Sequence, residues 1–168
     1  MMQKKICMLG GFAVGKTSLV RRFVTNLFSE QYHTTIGVTV EKKILSVAGE
    51  DVTLMLWDLY GDDEFQRIRE SYLRGSSGYI LVVDGTRKET LATALGLQRT
   101  VEGLLGPIPF ALIVNKSDVR DVWEIDDAAL SELRQQGWTI FFGSAKTGEG
   151  VESIFSTLAH RLLQQTTG

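Results

Sequence analysis

A glycine-rich loop near the N-terminus carries residue types that could bind phosphate. Residues 10–17 read G-G-F-A-V-G-K-T and satisfy the pattern G-x-x-x-x-G-K-[ST]. Backbone N–H groups of such a loop point inward at an anion, and its glycines let the main chain approach closely. Lys16 is expected to reach the β- and γ-phosphates of a nucleotide, and the Thr17 hydroxyl to bind Mg²⁺. The predicted phosphate-binding residues are Gly10, Ala13, Val14, Gly15, Lys16, Thr17 and Ser18.

A second polar group, Asn115-Lys116-Ser117-Asp118, follows an apolar strand. Taken alone it could be a surface turn capped by its aspartate. Downstream of a phosphate loop, it resembles the N-K-x-D motif with which small GTPases of the Ras superfamily read guanine. A carboxylate at Asp118 can accept hydrogen bonds from guanine N1–H and the N2 amino group, which adenine lacks, and such pairing rejects mismatched ligands strongly. The resemblance implies that Lys116 covers the base and that Asn115 ties this loop to the phosphate loop.

Two further features fit the same resemblance. Ser144-Ala145-Lys146 is similar to the family's S-A-K motif, in which the alanine N–H meets guanine O6. Phe28 stands where the family keeps an aromatic edge against the base, although it could instead be a core residue that closes the first helix. The resemblance therefore adds four residues to the predicted nucleotide site: Phe28, Ser144, Ala145 and Lys146.

Two segments resemble the family's switch regions. Thr35 matches the switch I threonine that ligates Mg²⁺ and meets the γ-phosphate, and Asp58 matches the aspartate that steadies Mg²⁺, usually through water. Gly61 matches the switch II glycine whose N–H contacts the γ-phosphate. Because these contacts require GTP, hydrolysis should release both loops. The implied metal ligands are Thr17, Thr35 and Asp58, and the implied catalytic residues are Lys16, Thr35, Gly61 and Asp62.

The position after Gly61 departs from the family. The usual D-x-x-G-Q reads Asp58-Leu59-Tyr60-Gly61-Asp62, so that Asp62 replaces the glutamine that orients the attacking water. At about 5 Å from a unit of phosphate charge, a carboxylate is repelled by roughly 3 kcal/mol at an effective dielectric near 20. We therefore expect Asp62 to point away and intrinsic hydrolysis to be slow. The alternative is that Asp62 acts as a general base.

Two bulky residues also depart from the family pattern. Phe12 occupies a phosphate-loop position that is glycine in Ras proteins, and Tyr60 replaces a small residue. Large side chains there are expected to crowd the space through which an activating protein inserts an arginine. His33, in the first switch, is expected to be exposed and without function.

The elements that must position these residues alternate between apolar runs and amphipathic segments. The predicted strands are Lys4–Leu9, Val38–Val47, Val52–Asp58, Tyr79–Asp84, Phe110–Asn115 and Trp138–Phe142. Uninterrupted apolar runs indicate parallel strands covered on both faces. The second and third strands, with a turn around 49–51, resemble an antiparallel hairpin. The predicted fold is α/β: a P-loop G domain with a six-stranded, mostly parallel sheet, one antiparallel strand and helices on both faces.

Length and composition bound the function. The 168 residues fit a single domain, residues 1–168, and a net charge of −2 gives no electrostatic case for nucleic-acid binding. The one cysteine, Cys7, excludes a disulfide framework. No apolar run is long enough to span a bilayer, and no secretory signal is visible. A prenylatable C-terminal cysteine and a polybasic tail are also missing, so no direct lipid anchor is visible. We expect a cytoplasmic location; the alternative is that the sequence has been cut short.

The predicted function is a guanine-nucleotide switch that binds Mg²⁺–GTP and hydrolyses it slowly to GDP. Ile36-Gly37-Val38, Trp57-Asp58 and residues 72–78 look most like Rab proteins, and a bacterial Ras-like GTPase would also fit. Protein effectors and regulators are expected at the switch regions and at the ribbon formed by the second and third strands (the β2–β3 ribbon), where Trp57 is either an apolar contact or a packing residue. The alternatives are a GTP-binding interaction module without useful turnover and the GTPase module of a larger protein.

Overall fold

The structure, a computed structural model, describes residues 2–27, 38–59 and 70–167. Within these residues six strands form one sheet in the order β2-β3-β1-β4-β5-β6. Only the β2–β3 pair is antiparallel; the other four neighbouring pairs are parallel. The predicted α/β fold with one antiparallel strand is therefore confirmed. The strands are β1 (Met2–Gly10), β2 (Val38–Val47), β3 (Glu50–Leu59), β4 (Gly78–Asp84), β5 (Phe110–Asn115) and β6 (Ile140–Phe142).

Helices cover both faces of the sheet, as the apolar runs predict. The described helices are α1 (Lys16–Thr25), α2 (Glu70–Leu73), α3 (Glu89–Leu105), α4 (Asp127–Gln135) and α5 (Val151–Thr167), together with a 3-10 helix at Ser117–Val122. Apolar side chains of α1 and α5 pack with one set of strand residues into the first core cluster, where the rings of Phe23 and Phe155 stack at 4.0 Å. Residues of α2, α3 and α4 pack with the alternate strand residues into the second cluster.

Several strand boundaries differ from the sequence-based prediction: β1, β3 and β4 each extend one or two residues beyond a predicted end, and β6 is shorter than predicted. The β2–β3 turn is Ala48-Gly49, with φ of 52° and 84°, rather than 49–51, because paired positive φ values match the twist of a two-residue hairpin. Strand β6 begins at Ile140 rather than Trp138. The N–H groups of Gly137 and Trp138 instead donate to Arg134 and Leu133 carbonyls, in the pattern of a Schellman motif that ends α4. Trp138 therefore has no N–H left for the sheet.

The other end of α4 is capped by an aspartate. The Asp126 carboxylate accepts a hydrogen bond from the Ala128 N–H at 2.9 Å, so Asp126 is the N-cap.

Buried polar residues lie together at one edge of the sheet. Met8 is aligned with Asp58, and Asp84 with Asn115, so the carboxyl ends of the parallel strands lie side by side. Among the described residues, the buried polar or charged ones are Lys16, Thr53, Asp58, Asp84, Thr90, Asn115 and Ser144. Four of these seven, Asp58, Asp84, Asn115 and Ser144, lie within two residues of the carboxyl end of a strand. Open α/β sheets bind ligands outside this edge.

Candidate functional site

The phosphate loop connects β1 to α1 through two left-handed residues. Ala13 has a φ of 58°, and Gly15, the N-cap of α1, has a φ of 103°. A Cβ on Gly15 would lie 2.3 Å from Asn115 Nδ2, and one on Gly10 would lie 2.5 Å from the Val82 carbonyl oxygen. Gly10 therefore permits close packing against β4, whereas Gly15 permits both the turn and the approach of Asn115. The loop ends at a helix N-terminus, where free N–H groups favour an anion.

Lys16 lies inside this loop. Its side chain is buried, and Nζ donates hydrogen bonds to the carbonyl oxygens of Gly10 at 3.2 Å and Gly11 at 3.5 Å. Burial lowers the pKa of Lys16, and the nearby Asp58 charge opposes that shift. An ammonium group held by two carbonyls of the loop itself has its charge directed at the space the loop encloses, which suits a phosphate oxygen.

Thr17 and Asp58 meet across the space between α1 and β3. The Thr17 hydroxyl donates to Asp58 Oδ2, while Asp58 Oδ1 is buried and has no hydrogen-bond partner among the described residues. Burial raises the pKa of Asp58, although the bond from Thr17 and the charges of Lys16 and Arg21 oppose the shift. An unpartnered buried carboxylate oxygen beside a hydroxyl is a donor set that fits Mg²⁺, a hard cation that prefers oxygen ligands.

Asn115 joins the phosphate loop to the loop that contains Ala145. Its Nδ2 donates to the Val14 carbonyl at 2.9 Å, and its Oδ1 accepts from the Ala145 N–H at 3.2 Å. The side chain is 3% exposed, so both bonds are shielded from water. The predicted link between Asn115 and the phosphate loop is therefore present, and Asn115 also orients the residue predicted to meet guanine O6.

The predicted guanine-reading carboxylate is held by Ser144. The Ser144 hydroxyl donates to Asp118 Oδ1 at 2.7 Å and accepts from the Thr147 N–H. Asp118 itself is exposed, as a residue that receives a ligand must be. The two predicted base-reading motifs therefore contact each other, and this bond orients the carboxylate. Lys146 is exposed on the same loop.

Asp84 and Arg87 belong to this edge, although sequence reasoning assigned them no role. Asp84 is completely buried, and its Oδ2 accepts from Lys116 Nζ at 2.7 Å and from Arg87 Nε at 3.0 Å. Arg87 also donates through Nη2 to the Phe12 carbonyl at 2.6 Å. The available signal was a charged residue at the end of an uninterrupted apolar strand, because burying a carboxylate without partners there would cost free energy.

Trp123 is a second residue that the sequence analysis missed. Its Nε1 donates to the Lys116 carbonyl at 2.8 Å, and Lys116 has a left-handed φ of 75°. The ring lies over Gly85, where a Cβ would come within 2.2 Å of it, and its edge meets the Phe142 ring. Trp123 thus fixes the backbone from which Lys116 and Asp118 project. No sequence pattern marks it, because its role depends on contacts with β4 and β6.

Several predicted residues lie outside the described parts of the chain. These are Phe28, His33, Thr35, Tyr60, Gly61 and Asp62. Trp57 is described: it is half-buried, its ring centroid is 6.5 Å from that of Tyr72, and Lys5 Nζ lies 3.7 Å from the centroid. It therefore packs against its neighbours and is also partly accessible. Within residues 2–27, 38–59 and 70–167, no helix has the length and apolar character needed to cross a membrane.

Comparison with known proteins agrees with this geometry. The sequence model that describes the Ras family matches residues 5–164 of the chain. Rab-4 of Dictyostelium discoideum is 35% identical over 90% of the chain and 75% of its own length. Rab-13 of Canis lupus familiaris is 30% identical over 98% of the chain and 82% of its own length. SEC4 of Saccharomyces cerevisiae is 35% identical over 96% of the chain and 75% of its own length.

Proposed function

The chain belongs to the Ras family of small GTPases and is Rab-like. From that premise, we propose that residues 1–168 form a single guanine-nucleotide switch domain. It binds Mg²⁺–GTP, hydrolyses it slowly to GDP and exposes different switch surfaces in the two states. The observation that carries this proposal is the paired bonding of Asn115, which holds the predicted phosphate loop and the predicted base loop in one rigid arrangement.

Guanine selectivity is proposed to rest on Asp118. Its carboxylate is pre-oriented by Ser144 and faces solvent, ready to accept from N1–H and the N2 amino group. A base without these donors would desolvate the carboxylate without supplying hydrogen bonds in return, which typically costs about 1–3 kcal/mol. Ala145, whose backbone is oriented by Asn115, supplies the N–H for O6. Lys116, with its Nζ anchored to Asp84, lies along the base.

Magnesium is proposed to be held by Thr17, Asp58 and Thr35. The orphaned Oδ1 of Asp58 and the Thr17 hydroxyl support this assignment, and Thr35 is added by resemblance alone. When bound, Mg²⁺ supplies neutralisation of the phosphate charge that develops during transfer of the γ-phosphoryl group. Lys16, held at the loop carbonyls, contributes a second positive charge on the protein side. Both groups stabilise charge electrostatically, so the enzyme needs no covalent step.

Hydrolysis is proposed to be slow because Asp62 cannot position water as glutamine does. The second candidate, a GTP-binding module without useful turnover, is favoured by the same residue and by Phe12, whose side chain is 55% exposed on the phosphate loop. An exposed ring there supports the expectation that an inserted arginine is obstructed. Arginine-finger stimulation by a Ras-type activating protein that Phe12→Gly leaves unaltered would contradict this expectation.

Partner proteins are proposed to bind the switch regions and the β2–β3 ribbon. Val40 of β2 is 39% exposed and pairs with Trp57 of β3, so the two offer adjacent apolar surface on strands that neighbour the switch segments in the sequence. A cytoplasmic location remains the expectation from the sequence.

Single-turnover hydrolysis tests the proposal directly. The protein is loaded with GTP in EDTA, Mg²⁺ is added, and GDP is followed by chromatography beside a no-protein control and Asp118→Ala. Slow GDP formation by wild type, with loading lost in the variant, is expected. GTP retained without turnover would favour the binding module, and failure of wild type to load GTP would refute the proposed guanine site.

A further inference from the structure

Asp84 connects the two halves of the site through a pair of cations. It ends β4 with no exposed side-chain surface, yet it carries two positively charged partners on one oxygen. Lys116 comes from the predicted base-reading loop after β5. Arg87, three residues further along the chain than Asp84, reaches in the opposite direction to the carbonyl of Phe12 in the phosphate loop.

The remaining polar atoms of Asp84 are also satisfied. Oδ1 accepts from the Thr86 N–H at 2.9 Å and from the Thr86 hydroxyl at 2.7 Å, and the backbone N–H and carbonyl of Asp84 both bond to the Thr90 hydroxyl. Burial by itself raises the pKa of Asp84, but hydrogen bonds from Lys116, Thr86 and Arg87 outweigh it and hold the pKa below its usual value. The carboxylate is therefore ionised and fixed in place.

The shape of the arginine side chain matters for this connection. Arg87 uses Nε for Asp84 and Nη2 for the Phe12 carbonyl, so one planar guanidinium spans both partners. A lysine has one nitrogen on a flexible stem and is poorly suited to span the same two acceptors. The contact to the Phe12 carbonyl does not depend on the bulky side chain at that position, because the acceptor belongs to the backbone.

We propose that Asp84 and Arg87 are positioning residues that couple the base loop to the phosphate loop and thereby slow the release of bound nucleotide. This inference rests on the proposed guanine-nucleotide binding. Lys116 contacts the buried Asp84 directly, and the phosphate loop is joined to Asp84 through Arg87. A nucleotide bound by both loops therefore dissociates only when its contacts with both loops are broken. Without Arg87 the phosphate loop loses this second connection to the base side, and the bonds of Asn115 remain.

Release of radiolabelled GDP in the presence of Mg²⁺ and excess unlabelled GDP tests the proposal. Arg87→Met removes the guanidinium and keeps an unbranched stem, and Arg87→Lys keeps the charge. Arg161→Met is the matched control, because Arg161 also donates to a backbone carbonyl, that of Phe110, but belongs to α5 away from the site. We expect release to become roughly tenfold faster in Arg87→Met, to change less in Arg87→Lys, and to stay within about twofold of wild type in Arg161→Met.

A double-variant cycle with Lys116→Met separates coupling from a general loss of stability. If Lys116 and Arg87 act through the shared Asp84 oxygen, the double variant should release GDP about as fast as the faster single variant, rather than at the product of the two effects. Equal release from the two arginine variants, or multiplicative effects in the cycle, would overturn the inference alone. Slower hydrolysis of bound GTP by Arg87→Met without faster release would also overturn it. A wild-type protein that retains no GDP would overturn the proposed function as well.

Discussion

Replacing Gly15 by alanine should damage the site in two separable ways. The first is backbone strain, because Gly15 has a φ of 103°. A non-glycine residue in left-handed backbone costs about 1–2 kcal/mol. The second is a collision, because the new Cβ would lie 2.3 Å from Asn115 Nδ2. Asn115 must then move, and its bond to the Val14 carbonyl is lost, at a further cost of about 1–3 kcal/mol for buried groups left unpaired.

Gly137→Ala provides the matched control. Gly137 follows α4 with a φ of 95°, close to that of Gly15, and a Cβ there would meet no atom within 4 Å. It should therefore suffer the backbone strain alone. The difference between the two variants isolates the collision with Asn115, and we expect that difference to be about 1–3 kcal/mol in the free energy of unfolding, a factor of roughly 5–150 in the equilibrium.

Urea denaturation of the nucleotide-free proteins measures these free energies, provided that the slopes of the transitions agree. GDP affinity supplies a second readout, because Gly15→Ala should also weaken binding whereas Gly137→Ala should not. Free energies of unfolding that differ by less than about 0.5 kcal/mol between the variants would refute the claim that Gly15 is required by the approach of Asn115.

Three further outcomes are expected. Asp58→Asn should raise the thermal stability of the nucleotide-free protein in EDTA, because it removes a carboxylate charge that burial disfavours. The same variant should abolish the slowing of GDP release by Mg²⁺. An undiminished Mg²⁺ effect would exclude Asp58 as a ligand. Asp62→Gln should speed single-turnover GTP hydrolysis, and a slower variant would favour the general-base alternative. Because the pKa of Asp84 is held below its usual 3.8, its stabilising effect is complete above about pH 4 and is lost as the pH falls through the lowered value. The stability gap between wild type and Asp84→Asn should therefore be level from about pH 5 to 8 and shrink below about pH 4, as urea titrations at each pH would show.

The fold could be predicted from the sequence because its signals are local. Uninterrupted apolar runs predict β4 and β5, and two strands joined by a short turn predict the antiparallel β2–β3 hairpin. The errors occurred where a backbone donor had two possible uses. Trp138 is a residue type favoured in strands, but its N–H donates to the Leu133 carbonyl at the end of α4 and does not pair in the sheet. A pattern of side chains cannot reveal that choice.

The site residues could be predicted only where they belong to a short sequence motif with defined spacing. Lys16, Asn115 and Asp118 could be found in this way, and the contacts made by Asn115 agree with the role expected of it. Asp84 could not, because its partner Lys116 lies 32 residues away and is brought near by the sheet. Trp123 could not either, because its bond to the Lys116 carbonyl spans only seven residues but its ring contacts with Gly85 and Phe142 are made by the fold. Their importance depends on burial and on which hydrogen bonds the fold leaves available, quantities that no motif encodes.

Two buried aspartates at the same sheet edge illustrate how the fold separates structural charge from functional charge. Asp84 has every oxygen satisfied by the chain itself, and its pKa is lowered despite complete burial. Asp58 is almost as buried, but one oxygen has no partner among the described residues, and its pKa is raised. The first carboxylate therefore stabilises the folded protein on its own. The second is disfavoured by burial, so if it holds Mg²⁺ as proposed, binding of the metal should stabilise the folded state by mass action.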